Sequence, residues 1–73
     1  MTAPDPAALY VFLFKAVRAM GADEAGDDME AAACRIEASH ALTGAFPPGS
    51  PGSRAGEALL AAVYQCAGLE AAS

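Results

Sequence analysis

The chain has 73 residues and a formal net charge of −5 at pH 7, which bounds it to one small domain. Its four cations, Lys15, Arg18, Arg35 and Arg54, are scattered along the sequence, so the clustered Lys and Arg needed for direct nucleic-acid binding are missing. Alanine is abundant while isoleucine, valine and threonine are scarce, which favours helix, gives β-structure little support and keeps the buried area per residue low.

The N-terminal arm, MTAPDP, has neither a cationic stretch nor an adjacent apolar run, so no secretory signal is expected. Asp5 followed by Pro6 reads as a helix start, because the carboxylate can cap and proline suits the first helical position. The first predicted helix covers residues 6–20, with Gly21 as its stop. This segment, centred on ALYVFLFKAVRAM, holds Tyr10, Phe12 and Phe14, leaving only Phe46 and Tyr64 as aromatics elsewhere. At 100° per residue, Leu9, Tyr10, Phe12, Leu13, Phe14, Ala16, Val17 and Met20 cover an arc of roughly 220°. One neighbouring helix needs a stripe of only about 100°. The excess predicts cover from a second side, and a homodimer formed through helix 1 is the expected solution. The longest apolar run, Ala7–Phe14, falls short of the about 20 residues that span a bilayer. A cytoplasmic protein with reduced Cys34 and Cys66 is therefore expected.

Next comes ADEAGDD, read as an acidic loop. Asp23, Glu24, Asp27, Asp28 and Glu30 crowd it, without the D-x-[DN]-x-[DN]-G spacing of a calcium loop. Such acids complement the N-terminal dipole of the following helix and keep the chain soluble. They can also guide an encounter with a basic partner surface. Helix 2 is predicted over residues 28–43, capped by Asp27 or Asp28 and ended by Gly44. Two apolar seams run along it: Met29, Ala32, Ala33, Ile36, His40 and Thr43 on one side, Ala31, Cys34, Ala38, Ala41 and Leu42 on the other. Glu30 and Glu37 divide them along one edge, Arg35 and Ser39 along the other. Two seams predict a helix placed between two neighbours.

Residues 45–53, AFPPGSPGS, break the chain, since three prolines and two glycines in nine residues exclude helix and strand alike. Phe46 is expected to tuck against the bundle. Helix 3 is predicted over residues 53–69, with Ser53 as its cap and Leu59, Leu60, Val63, Tyr64, Cys66 and Ala67 on its main face. The last residues, Glu70–Ser73, are expected to fray. The fold class expected is all-α: a helical hairpin plus a third helix, with antiparallel neighbours.

Chemistry-bearing constellations are sparse. No C-x-x-C or H-x-x-x-H pair is present, and Cys34 and His40 fall about 120° apart on one helix, too divergent to share an ion. Both cysteines read as small apolar residues at helix contacts; a Cys34–Cys66 bridge is within geometric reach but is disfavoured by the expected compartment. Ser39 and His40 are sequence neighbours and point in different directions, so they do not form a nucleophile–base pair. No glycine-rich phosphate loop follows a strand. Neither an enzyme, a resident metal nor a cofactor is expected.

What remains is a small acidic protein-interaction module: a regulator, adaptor or inhibitor of another protein. A narrower version is an inhibitor of the phage or mobile-element type that blocks a basic surface on a nucleic-acid enzyme. The alternatives are a helical module holding a small apolar ligand between helices 1 and 3, and a structural subunit of a larger assembly. The expected partner-binding residues are Tyr10, Phe14 and Val17 on helix 1, with Asp23, Glu24, Asp27 and Asp28 at the acidic corner. Direct nucleic-acid and membrane binding are not expected.

Overall fold

The computed structural model describes residues 5–66, with side chains as far as Tyr64. It contains three helices, α1 (Pro6–Ala25), α2 (Asp28–Ala45) and α3 (Pro51–Cys66), and no strand among the described residues. The arm before Asp5, the predicted run of helix 3 beyond Cys66, the inward placement of Cys66 and Ala67, the fraying end and the Cys34–Cys66 bridge lie outside the described residues or side chains. Cys34 carries a free thiol.

α1 begins as expected. Asp5 has extended backbone and its carboxylate accepts from the Ala7 N–H at 3.0 Å, with Pro6 in the first turn. It does not stop at Gly21. The helix continues to Ala25 and ends at Gly26, which takes φ 80°. The Gly26 N–H donates to the Asp23 carbonyl at 3.1 Å, and the Asp27 N–H donates to the Ala22 carbonyl at 2.8 Å. This is a Schellman closure, which glycine enters without a Cβ penalty. Two glycines compete as stops. The later one wins because Ala22–Ala25 are mostly good helix formers and because the added turn buries Ala22 and aims Asp23 at α2.

The connection is only Gly26–Asp27, since Asp27 already caps α2 by accepting from the Glu30 N–H at 3.1 Å. So short a link folds α2 back along α1 as an antiparallel hairpin. Alanine makes the seam close. Ala16, Ala19 and Ala22 of α1 and Ala31, Cys34 and Ala38 of α2 are buried. Three ion pairs join the two helices among the described residues, Lys15–Glu37 at 3.4 Å, Arg18–Glu30 at 3.1 Å and Arg35–Asp23.

α2 runs through Gly44 to Ala45. Its stop is Phe46, in extended backbone at φ −136° and ψ 145°, because the residue before a proline is pushed out of the helical region. The linker is shorter than predicted. Pro47, Pro48, Gly49 and Ser50 form a turn closed by the Ser50 N–H on the Pro47 carbonyl at 3.1 Å, with Gly49 at φ 79°, the conformation a glycine at the third turn position supplies. Ser50, not Ser53, caps α3. Its hydroxyl accepts from the Ser53 N–H at 3.2 Å and its carbonyl from the Arg54 N–H at 3.0 Å. Pro51 then takes the first helical position, where its missing N–H is no loss.

α3 packs less closely than the hairpin packs on itself. Val63 is buried with Ala16, Ala19 and Cys34. Leu60 packs against that group and against a second one formed by Phe12, Ala38 and Leu42, and Phe46 tucks against the second group as expected. Both neighbours of α2 therefore lie on one side of it. The predicted second seam, Met29, Ala32, Ala33, Ile36, His40 and Thr43, is exposed, with Met29 86% accessible. The placement of α2 between two neighbours is corrected accordingly: small side chains at Ala31, Cys34 and Ala38 let α1 approach, and Leu42 on the same side receives α3.

Candidate protein-docking surface

The buried arc of α1 is filled by Phe12, Ala16, Ala19 and Ala22, with Leu9 half-buried beside them. On the wheel, Met20, Leu13, Val17, Tyr10 and Phe14 follow that arc in angular order and span a further ~120°. All five are exposed, Tyr10 and Val17 each at 67%. The structure thus splits the predicted apolar arc in two, one part covered by α2 and α3 and one part open. Tyr10 and Phe14, one turn apart, stack with ring centroids 6.1 Å apart and planes 19° from parallel. Lys15 lies 5.9 Å from the Phe14 centroid while its ammonium pairs with Glu37. Arg18, on the far edge, donates to Glu30. That hydrogen bond, then the Glu30 charge itself, raises the guanidinium further above its ordinary value. The cations bordering the stripe are therefore directed toward α2.

The seven predicted partner-binding residues do not form one surface. Tyr10, Phe14 and Val17 share the open stripe, and Glu24 falls by its wheel position at the stripe's C-terminal end. Asp27 caps α2, and Asp28 lies beside it in the first turn. Asp23 points the other way. Its carboxylate accepts from the Arg35 guanidinium across the hairpin, and Arg35 is only 5% exposed. The Arg35 guanidinium also lies 4.8 Å from the centre of the Tyr64 ring, so one cation ties α1, α2 and α3 together. Its Nε is buried without a hydrogen-bond partner. Sequence reasoning placed Arg35 among the polar dividers of α2. Its inward position follows from the α1 extension, which brings Asp23 opposite it.

Leu13 and Met20 complete the stripe and were legible as part of the apolar arc, though not as an open face. Cys34 is fully buried. Burial first, then the neighbouring Glu30 carboxylate, pushes its thiol above the ordinary value, which suppresses the reactive thiolate. His40 is exposed on the outer face of α2. Among the described residues no three His, Cys, Asp or Glu side chains are grouped to hold a metal ion, and no helix is long and apolar enough to cross a membrane. Comparison of the chain with protein-family models, with curated proteins and with solved structures yields no match.

Proposed function

We propose that this chain is a small acidic protein-interaction module that acts by presenting the α1 stripe to another protein surface. The observation that carries the reading is the five contiguous apolar side chains, two of them stacked aromatics, that neither α2 nor α3 covers. Aromatic side chains supply large contact area with few rotatable bonds, which is why they anchor interfaces. The net charge of −5 affects the rate of encounter, fastest with a basic surface, while the apolar contacts govern dissociation. Glu24, Asp27 and Asp28, all exposed, carry the guidance; Asp23 belongs to the interior pair and does not.

Affinity capture from host lysate with the wild-type chain and with Phe14→Glu, each at low and high salt, tests this. A protein retained by the wild type and lost with the variant supports the reading. Equal recovery with both chains, or none with either together with a single-copy mass at every concentration, refutes the stripe as the binding surface.

A further inference from the structure

We infer that the occupant of the α1 stripe is a second copy of this chain, docked antiparallel about a two-fold axis at Val17; the inference rests on the stripe being an interaction surface.

Three observations lead there. The first is spacing. Tyr10, Leu13, Val17 and Met20 recur at intervals of three and four, the pattern that lets two helices interlock side chains along a seam. The second is Gly21. It lies inside α1, where glycine costs about 1 kcal/mol relative to alanine. Nothing in the monomer requires it: a Cβ there would meet no atom within 4 Å. Gly52 and Gly56 differ, since a Cβ at either would collide with Phe46 or Leu42. With the axis at Val17, wheel geometry sets Phe14 of one copy over Gly21 of the other, Leu13 against Met20, and Val17 against its own mate. The glycine becomes the notch that admits the ring.

The third observation is charge. Glu24 continues the same seam. A parallel pair would set Glu24 against Glu24. The antiparallel pair sets it opposite Tyr10, whose phenol can donate to the carboxylate, near the positive N-terminal end of the facing helix. The size also fits. From their exposures, the five side chains offer about 500 Å² per protomer, so full cover of both copies buries at most about 1,000 Å², the lower bound for a specific interface. That threshold value predicts a dimer that dissociates on dilution.

Sedimentation velocity from low micromolar to near-millimolar chain should show the mass rise from one copy to two. Phe14→Glu and Gly21→Leu should each remain at one copy throughout, with unchanged helical circular dichroism. The orientation is tested by oxidative cross-linking in a Cys34→Ala, Cys66→Ser background. Tyr10→Cys mixed with Glu24→Cys should cross-link, and neither should cross-link with itself. Self-cross-linking of each alone would establish a parallel pair and overturn the arrangement. A single-copy mass at every concentration overturns the second copy as occupant. The broader reading is judged separately: with a single-copy mass at every concentration it still stands if Phe14→Glu abolishes capture of a lysate protein, and it fails if no capture depends on Phe14.

Discussion

The α1–α2 seam and the seat of α3 solve the same packing problem with opposite materials. Between α1 and α2 the buried positions are mostly Ala16, Ala19, Ala22, Ala31, Cys34 and Ala38, so the backbones come close and little area is buried per residue. Under α3 the arrangement is bulk into notch, with Leu42 seated against Gly56 and Phe46 against Gly52, and Leu60 and Val63 filling the groove. An alanine seam is strained by enlargement, whereas a bulk-in-notch seat fails either when the notch is filled or when the bulky side chain is cut back. The difference also explains why the large side chains that are covered, Phe12, Leu42, Phe46, Leu60 and Val63, gather where α3 meets the hairpin. A domain of this size has a margin of about 3–5 kcal/mol, so one lost device is felt throughout.

The sharpest way to break the comparison is a feature that both regions share, the Asp23–Arg35 pair with Tyr64 over it. Asp23→Ala leaves a buried guanidinium without its carboxylate, a loss of about 3–5 kcal/mol. Thermal unfolding followed by circular dichroism should show a chain largely unfolded near room temperature. Asp23→Leu combined with Arg35→Met should recover much of the loss, because the penalty lies in the orphaned charge. Full stability in Asp23→Ala would mean that the pair contributes nothing to the hairpin.

Filling tests each region by itself. Ala19→Leu forces a large side chain into the fully buried alanine seam and should destabilise by about 1–3 kcal/mol, seen as a lower urea midpoint. Gly56→Ala displaces Leu42, but helix propensity returns about 1 kcal/mol, so its net loss should be smaller. Its effect should be local. Val63 of α3 covers Cys34, so in a Cys66→Ser background Gly56→Ala should speed alkylation of Cys34 while most helical signal persists. Gly21→Ala is the control, made where a Cβ meets open space. It should stabilise the chain by up to about 1 kcal/mol when measured dilute. Loss of stability there would show that the monomer needs this glycine after all.

The smallest effect concerns the turn that delivers α3. Ser50→Ala removes the hydroxyl that accepts from the Ser53 N–H and should cost about 1 kcal/mol. Hydrogen exchange should place the loss in the first turn of α3, with α1 and α2 protection nearly unchanged.

Local chemistry made much of this protein legible in advance. Composition gave strands little support, Asp5–Pro6 marked the start of α1, and the proline-rich stretch marked the break before α3, because these effects act over a few residues. The breadth of the apolar arc on α1 was legible too, since it depends only on helical periodicity. The ends were less so. Gly21 and Gly26 are both competent stops by type, and the choice between them lies in the packing of Ala22 and the reach of Asp23 to Arg35. Likewise Gly44 is a helix stop by type, yet the pre-proline restriction at Phe46 acts instead. Tertiary structure alone decided which part of each apolar arc is covered. The two seams of α2 look equivalent by hydropathy. Only the small side chains at Ala31, Cys34 and Ala38 admit a second backbone, and α3 returns to that same side, so Met29 and Ile36 face solvent. The same choice left Tyr10, Phe14 and Val17 open while burying Phe12. Periodicity assigns a residue to a face, but burial belongs to whichever neighbour can approach that face most closely.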